Sequence, residues 1–442
     1  MTPSFRELAA TGGFFQGYTY AYPHKTAYRR LDPPVALNRA WRDEDVDALF
    51  LYAHVPFCEM RCGFCNLFTT ANPESSRVTK YLDALERQIE AVSAAIGPRA
   101  QVARLALGGG TPSFLSSAEM ERLFRMLAAG FPAVSGPIPK SVEVSPATSE
   151  QEKLELCAAW KVTRVSIGIQ SFLEAETRTL GRPQRSGQAR RALALLRAME
   201  FPCINVDLIY GTPGQTIDTF RKSLEEALEF SPQEIYLYPL YIRPLTGLDR
   251  RGARPADIRL ELYRAGRDFL LARGYRQISM RLFRDTAYRP PEGPVYCCQE
   301  DGMVGLGAGA RSYTSALHYS TEYAVGHAGV QAVIDQFIKS PTEDFGVTDY
   351  GCRLDGNEQR RRYLLKSLLR SDGLNLASYQ ARFGGEPFSD FPQLTELLEG
   401  GIGVVQNDCL RLSAEGLELS DVIGPWLCSA EMRQKMERYV LI

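Results

Sequence analysis

Three cysteines, Cys58, Cys62 and Cys65, lie within eight consecutive positions in the spacing C-x3-C-x2-C. Closely spaced thiolates bind either structural zinc or an iron–sulfur cluster. Structural zinc sites usually pair cysteines about two to four residues apart and close with a fourth ligand, and the sequence has no fourth cysteine nearby. Three thiolates on one loop can bind three irons of a cubane cluster and leave the fourth iron open. The spacing therefore favours a [4Fe–4S] cluster that can bind a chelating molecule, rather than zinc or three buried thiols.

His54 lies four residues before Cys58 and is a candidate for a fourth ligand. Its position at the end of an apolar run, Tyr52-Ala53-His54-Val55, instead favours packing beside the cluster.

A glycine run, Gly108-Gly109-Gly110-Thr111-Pro112, follows the second predicted strand. Consecutive glycines let the backbone approach a ligand closely, and free amides or carbonyls there can meet a charged group. A glycine-rich turn has little specificity alone. Its position after the strand that follows the cysteine loop makes it a stronger indication of a ligand site.

Four polar side chains lie in or after later predicted strands: Glu143, Gln170, Arg182 and Asp207. An ionisable group in an apolar strand is costly to bury unless it has a partner. A cofactor with a ribose, a carboxylate and an amine would supply such partners. An internal network of acidic residues with arginine that closes a barrel is the alternative.

Strands and helices alternate in the region that must position these residues. Apolar runs predict strands at 49–55, 104–107, 141–144, 164–169, 204–209 and 234–240, and amphipathic segments predict helices at 77–95, 117–129, 149–160, 187–199 and 216–230. Alternation implies parallel pairing with right-handed crossovers. We therefore predict an α/β fold, an incomplete (β/α)6 barrel with its chemistry at the C-terminal ends of the strands.

Three regions are predicted: an N-terminal arm at 1–48, the barrel and its extension at 49–345, and a C-terminal domain at 346–442. The extension includes a helix at 258–273 and a glycine-rich segment at 301–313. In the last region, helices at 358–370, 376–383 and 391–399 and two short strands around 403–419 predict a winged-helix-like α+β module. Such modules often bind DNA, but the formal net charge of −1 gives no attraction for nucleic acid.

The composition excludes other classes. No run approaches the roughly 18 apolar residues of a membrane-spanning helix, and the N-terminus has no apolar signal core, so we expect a cytoplasmic protein. Ten cysteines in 442 residues are too few and too scattered for a disulfide framework.

The cysteine spacing, with the aromatic Phe64 directly before the last cysteine, resembles that of the radical SAM superfamily. The resemblance implies that the open iron binds the amino and carboxylate groups of S-adenosylmethionine, whose reductive cleavage gives a 5′-deoxyadenosyl radical. A protein electron donor such as flavodoxin or ferredoxin would supply the electron.

Nearly the whole chain is similar to a narrower family, the oxygen-independent coproporphyrinogen III oxidases and related haem chaperones. The similarity extends from the entry motif at 52–58, through the glycine run and the segments at 164–172 and 205–216, to 305–310. It implies an oxidoreductase acting on a tetrapyrrole or a comparably large acidic substrate. It also implies that the cofactor site is lined by Tyr52, Phe64, Gly109, Gly110, Thr111, Glu143, Gln170, Arg182 and Asp207.

Some positions depart from the family pattern. The oxidases commonly carry another cysteine two positions after the third ligand, where this chain has Leu67. The chaperones also lack that cysteine, but they typically begin close to the motif, whereas 57 residues precede Cys58 here. The positions that help to bind a second S-adenosylmethionine in the oxidases correspond to the bulky Tyr241 and Arg311. These bulky side chains argue against a second S-adenosylmethionine bound in the same way, and against a methyltransferase that depends on it. The alternatives to the oxidase are a relative that methylates or otherwise modifies a natural product or peptide, and a haem chaperone.

Two further motifs lie outside this pattern. We expect the adjacent Cys297 and Cys298 to be small packing residues, or to face the substrate, and not to bind the cluster. The run Arg360-Arg361-Arg362, with Lys366 and Arg370, predicts a basic helix, which is either a solvated face, a clamp for substrate carboxylates or a docking patch for a reductant.

Overall fold

A computed structural model describes residues 4–182, 184–290 and 302–441. Within these residues the chain forms a mixed sheet of 13 strands, a second sheet of three strands and a two-stranded ribbon. Cys297 and Cys298 lie outside the described residues.

The N-terminal arm has regular structure that its sequence did not predict. It contains helix α1 (Phe5–Gly12), a 3-10 turn (Lys25–Ala27), strand β1 (Arg29–Ala36) and helix α2 (Leu37–Ala40). The ring of Phe5 contacts that of Trp426 edge-on, with 5.8 Å between their centroids. The arm therefore reaches the C-terminal part of the chain.

The middle of the large sheet confirms the six predicted strands. The chain runs through β2 (Leu49–Val55), the short β3 (Phe57–Cys58) and β4 (Thr70–Ala71), and then β5 (Val102–Gly109), β6 (Lys140–Val144), β7 (Arg164–Gln170), β8 (Cys203–Tyr210) and β9 (Glu234–Pro239). Strands β2, β5, β6, β7, β8 and β9 are neighbours in that order and all parallel. Their C-terminal ends consequently meet at one edge of the sheet.

The predicted crossover helices are also present. They are α3 (Ser75–Ile96), α4 (Ser117–Gly130), α5 (Gln151–Ala159), then, after the short and unpredicted α6 (Glu174–Thr179), α7 (Ser186–Ala198) and α8 (Ile217–Leu228). Ser116 caps α4 through a capping box with Glu119, which fixes where that helix begins. Alternate strand residues such as Leu51, Ala53 and Val55 are buried in the main hydrophobic core. The opposite side of the strands, called the inner face here, carries Tyr52 and His54.

The sheet continues on both sides of this parallel block. The next elements are α9 (Gly247–Arg250), α10 (Arg259–Ala272), β10 (Tyr275–Gln277), β11 (Leu282–Asp285), β12 (Met303–Leu306), β13 (Arg311–Tyr313), β14 (Leu317–Ser320), α11 (His327–Lys339), a 3-10 turn (Thr342–Gly346) and β15 (Val347–Arg353). Strands β11 and β10 extend the sheet beyond β9, and β12 pairs in parallel with β2. Strands β13, β14, β15 and β1 follow β12. The barrel is thus incomplete, as predicted.

The C-terminal region has the expected mixture of helices and a small sheet. It contains α12 (Gly356–Leu368), β16 (Leu374–Asn375), α13 (Leu376–Phe383), α14 (Pro387–Asp390), a 3-10 turn (Pro392–Leu394), α15 (Thr395–Glu399), β17 (Gly403–Gln406), β18 (Cys409–Leu412), α16 (Ala414–Glu418), α17 (Ser420–Leu427) and α18 (Ala430–Glu437). The hairpin β17–β18 pairs with β16. Its hydrophobic cluster also includes Phe5, Tyr22 and Tyr28 of the arm. The domain limits given above remain a prediction.

The basic run on α12 is not a solvated face. Arg361 and Arg362 are only 9% and 7% exposed. The Nη1 of Arg361 donates to the carbonyl of Leu427 at 2.7 Å, and the guanidinium of Arg362 lies 4.5 Å from the ring centroid of Tyr313. The interpretations as a solvated face, a clamp or a docking patch are therefore wrong for these two arginines, because α12 is enclosed by neighbouring elements.

No helix in the described part of the chain is both long and apolar enough to cross a membrane.

Candidate active site

The cysteine loop begins where β2 ends, at the C-terminal edge of the parallel strands. Strands β3 and β4 hold its two ends together, with the amide of Asn72 donating to the carbonyl of Cys58 at 2.9 Å. In the middle of the loop, the amide of Gly63 donates to the carbonyl of Leu180 at 3.0 Å. The loop is therefore fixed at its ends and at its centre.

Each of the three thiols has a polar neighbour. The hydroxyl of Thr111 lies 3.5 Å from the Sγ of Cys58, and Nη1 of Arg182 lies 3.1 Å from the Sγ of Cys62. The Sγ of Cys65 lies 3.8 Å from the hydroxyl of Thr69. Thr111 and Arg182, predicted from distant motifs, are thus brought to the cysteine loop.

Burial raises the pKa of the Cys58 thiol to about 12, although the hydrogen bond from Thr111 lowers it. Thiolates bind metal, so iron binding has to drive this deprotonation. In the described ranges no three His, Cys, Asp or Glu side chains are grouped closely enough to hold a single metal ion. A cubane cluster takes one thiolate at each of three irons, so its ligands do not converge on one point.

The glycine run lies against the cysteine loop. A Cβ on Gly110 would be 2.9 Å from the Sγ of Cys58, and a Cβ on Gly109, whose φ is +116°, would be 2.6 Å from the ring of His54. The amide of Gly110 donates to Val55 at 2.7 Å and that of Thr111 to Phe57 at 2.8 Å. The glycines are therefore required by contacts within the protein, and these two amides are already paired.

His54 is buried, and both of its ring nitrogens have partners. Nε2 lies 2.9 Å from the carbonyl of Phe68 and therefore carries the proton, while Nδ1 lies 3.1 Å from the hydroxyl of Tyr52 and accepts from it. Burial lowers the pKa of His54 to about 4, so the ring is neutral. This geometry agrees with the expectation that His54 packs beside the loop, and it orients the Tyr52 hydroxyl on the inner face.

Two carboxylates stand on the inner face. Glu143 of β6 accepts from the amide of Gly109 at 3.2 Å, and part of its surface is accessible although protein surrounds the carboxylate. Surrounding protein desolvates the carboxylate and Asp207 repels it, which together raise the pKa of Glu143 to about 7. Desolvation likewise raises the pKa of Asp207 to about 6, against the hydrogen bond that Asn205 donates at 2.7 Å. Within the described residues neither carboxylate makes an ion pair.

Gln170 ends β7 with a φ of +69°. Its Oε1 and the Oδ1 of Asn205 are buried and have no hydrogen-bond partner in the part of the chain described. Nη2 of Arg182 donates to the carbonyl of Gly168 at 2.9 Å, next to this end of β7. A molecule that carries an ammonium group, a sulfonium and ribose hydroxyls would supply what the two unpaired oxygens and the two carboxylates lack. The residues therefore fit S-adenosylmethionine.

Phe64 lies apart from these polar groups. It packs against a small apolar cluster formed by Leu180, Ile209, Leu240 and Leu248. This contact anchors the cysteine loop to the ends of β8 and β9, and a direct role for Phe64 toward a cofactor remains a prediction.

The sequence patterns missed an aromatic group on the inner face and in the arm. The rings of Tyr236 and Tyr238 stack with centroids 5.6 Å apart, and Tyr18 approaches Tyr238 at 6.3 Å. Tyr18 and Tyr20 are 38% and 42% exposed, a degree of exposure that leaves their rings accessible. Both Tyr-x-Tyr pairs were visible as alternating aromatics, but only the fold brings them together.

Tyr241 and Arg311, two positions at which the chain departs from the oxidase pattern, make contacts within the fold. The hydroxyl of Tyr241 is hydrogen-bonded to Asp421 and lies 2.8 Å from Nη2 of Arg281. Arg311 begins β13, with its guanidinium 5.3 Å from the ring centroid of Tyr20. By contrast, Leu67 in the cysteine loop is 54% exposed, so its side chain is open to contact with another molecule.

Comparison with known proteins agrees with this fold. The Radical SAM superfamily model matches residues 52–227, and the HemN C-terminal domain model matches residues 354–419. The solved structure of coproporphyrinogen III oxidase (HemN) from Escherichia coli covers 94% of this chain and 99% of its own, with a TM-score of 0.77 at 23% identity. These findings define a radical SAM fold.

Curated relatives narrow the family. Oxygen-independent coproporphyrinogen III oxidase from Synechocystis is 25% identical over 95% of this chain and 93% of its own, and that from Escherichia coli is 27% identical over 91% of each. Heme chaperone HemW from Escherichia coli is 30% identical over 59% of this chain and 69% of its own. The chain belongs to the radical SAM family that contains the oxygen-independent coproporphyrinogen III oxidases and the heme chaperone HemW.

Proposed function

We propose that the chain is a radical SAM oxidoreductase that binds a [4Fe–4S] cluster through Cys58, Cys62 and Cys65. The observation that carries the proposal is the meeting, at one edge of the sheet, of the cysteine loop, the glycine run and two carboxylates that form no ion pair with any described residue. When bound, the cluster and S-adenosylmethionine supply a radical that abstracts a hydrogen atom from the substrate.

The protein's own residues bind and orient the cofactors. Arg182 donates toward the thiolate of Cys62 and stabilises its negative charge. Glu143 and Asp207 attract the positive groups of S-adenosylmethionine, and the oxygens of Gln170 and Asn205 accept its hydroxyl or ammonium hydrogens. Tyr52, Gly109, Gly110 and Thr111 complete this wall of the site.

We further propose that the substrate is a tetrapyrrole or a similarly large, flat and acidic molecule. The accessible rings of Tyr18 and Tyr20, with Tyr236 and Tyr238 behind them, offer a broad aromatic surface. Aromatic side chains favour offset or edge contacts with another aromatic molecule. The names of the relatives support the same substrate class. The electron comes from a protein donor such as a flavodoxin or a ferredoxin.

Anaerobic reconstitution tests the cluster assignment. We expect about four irons and four sulfides per chain, and we expect Cys58→Ala, Cys62→Ala or Cys65→Ala to abolish the charge-transfer absorption of the cluster. Cys157→Ala and Cys203→Ala are matched controls, because both cysteines are buried in the barrel and lie away from the loop. A cluster that persisted in all three loop variants would contradict the proposal.

Product analysis tests the reaction. Reduced enzyme should convert S-adenosylmethionine to 5′-deoxyadenosine, and mass spectrometry of products from coproporphyrinogen III then identifies any decarboxylation. The absence of 5′-deoxyadenosine in protein with a full cluster would exclude the enzymatic function.

A haem chaperone is the second candidate. The 30% identity to heme chaperone HemW and Leu67 in place of a cysteine favour it. Tight stoichiometric haem binding, together with no product from reduced protein, would support the chaperone over the enzyme.

A further inference from the structure

Three basic side chains meet at the arm, and a fourth, Arg243, is near enough to lower the pKa of His24. His24 and Lys25 precede β1, Arg243 follows β9, and Arg311 begins β13; we call these four residues the basic cluster. Tyr20 contacts two residues of the basic cluster. The centroid of its ring lies 5.3 Å from the Arg311 guanidinium and 6.0 Å from the centroid of the His24 ring. Tyr323 joins His24, at 5.8 Å, to the Lys25 ammonium, at 5.6 Å.

The basic cluster has no acidic partner in the part of the chain that the structure describes. Among the described residues Lys25, Arg243 and Arg311 form no ion pair, and the Nε and Nη1 atoms of Arg311 are buried without a hydrogen bond. Burial, and then repulsion by Arg311, lowers the pKa of Lys25 to about 7. An unpaired group of cations inside a protein is unfavourable unless an anion joins it.

His24 adds a directed donor to this group. Burial and the neighbouring cations lower its pKa to about 3, so the ring is neutral. Its Nδ1 accepts from the amide of Thr26 at 3.3 Å, which places the proton on Nε2. No partner is recorded for this N–H within residues 4–182, 184–290 and 302–441.

The basic cluster lies beside the cysteine loop. The ammonium of Lys25 donates to the carbonyl of Gly309. A Cβ on Gly309 would lie 2.4 Å from the ring of Phe68, which belongs to the segment just after Cys65. The four residues are each partly exposed, so the edge of the basic cluster is accessible to an anion, although the Nε and Nη1 atoms of Arg311 themselves are enclosed.

We propose that the basic cluster binds carboxylate groups of the substrate and so holds the substrate against the cysteine loop. The inference rests on the proposed function and adds the residues that recognise the acidic groups. Arg311 offers an N–H group at Nε and another at Nη1, each of which can donate to a carboxylate oxygen. Lys25 and Arg243 add positive charge, and the Nε2–H of His24 adds a neutral donor.

Equilibrium binding of coproporphyrin III, which carries four propionates, tests this site in the anaerobically reconstituted full-length protein. Quenching of porphyrin fluorescence reports the affinity. We expect Lys25→Met and Arg311→Gln each to weaken binding about tenfold or more, since a hydrogen bond to a charged group contributes about that much. Arg30→Gln is the matched control, because that arginine is exposed and pairs with Asp349 on the surface.

Two further measurements separate recognition from folding and from cofactor binding. The variants should keep the affinity for S-adenosylmethionine, the yield of 5′-deoxyadenosine and the midpoint of thermal unfolding. Unchanged porphyrin affinity in both folded variants, or no porphyrin binding by the natural sequence, would overturn the inference. If the variants lost affinity for S-adenosylmethionine instead of affinity for the porphyrin, the inference would also be overturned, because the basic cluster would then bind the cofactor. Failure of the natural sequence to cleave S-adenosylmethionine would instead contradict the proposed function.

Discussion

Arg281 and Asp421 form a buried ion pair that joins the barrel to the C-terminal region. Nη2 of Arg281, directly before β11, lies 2.8 and 2.7 Å from the two carboxylate oxygens of Asp421 in α17. The side chains are 3% and 1% exposed, so neither charge can be hydrated if its partner is removed. The ring of Tyr18 lies 3.9 Å from the same guanidinium. The pair therefore also supports the arm.

Asp421→Leu should lower the free energy of unfolding by about 3–5 kcal/mol, because it leaves the Arg281 charge buried without a partner. Arg281→Met should have a similar cost for the reciprocal reason. The double variant removes both charges, and its cost should be well below the sum of the single costs. Urea unfolding followed by tryptophan fluorescence measures these changes, and Trp426 in α17 is a reporter close to the pair.

The exposed pair Arg30–Asp349 is the control for this experiment. Its side chains are 82% and 59% exposed, and Asp349→Asn should change stability by about 0–1 kcal/mol. Equal effects of Asp421→Leu and Asp349→Asn, or single costs that simply add in the double variant, would refute the reasoning. The ion pair connects the hydrophobic cluster of the barrel to that of the C-terminal region. Separate unfolding transitions of these two regions in the single variants would therefore agree with the proposed role of the pair.

Three other outcomes are expected. The affinity for S-adenosylmethionine should rise as the pH increases through about 7, because the raised pKa keeps Glu143 protonated and neutral below that value. Isothermal titration calorimetry at several pH values should show this rise in affinity, and Glu143→Gln should abolish it. The protein should cleave S-adenosylmethionine yet form little protoporphyrinogen IX, and Leu67→Cys should increase that product in a mass-spectrometric assay; an unchanged yield would show that position 67 does not limit the reaction. Arg361→Met should lower the free energy of unfolding by about 1–3 kcal/mol, because the Leu427 carbonyl loses its donor, while 5′-deoxyadenosine formation stays constant; a loss of cleavage without a loss of stability would contradict a purely structural role.

The parallel strands could be predicted because their sequences have a strong local signal. Strand β7 (Arg164–Gln170) carries Val165, Ile167 and Ile169 at alternate positions, and those side chains are buried. Strand β13 (Arg311–Tyr313) has only three residues and begins with a charge, so its pairing depends on strands distant in the sequence. Periodicity cannot reveal an element of that kind.

The residues of the site also differ in how far the sequence could predict them. Motifs contiguous in sequence identified the cysteine loop and the glycine run. The resemblance implied that Arg182 lines the cofactor site, but its contact with Cys62 was not predicted, because these residues are far apart in the chain. The basic run on α12 was misjudged because a charge pattern alone does not show which neighbours enclose a helix, and Arg361 is paired with a backbone carbonyl.

The pairing of strand β1 determines when the fold can be completed during synthesis. Arg29 of β1 pairs with Gly351 of β15, so the ribosome must make most of the chain before this edge can form. The cysteine loop emerges much earlier, and the arm that carries Lys25 can dock beside it only afterwards. Iron and sulfide donors can therefore reach the nascent loop before the arm docks, and the partly exposed Cys58 and Cys65 leave it accessible to them in the completed fold as well.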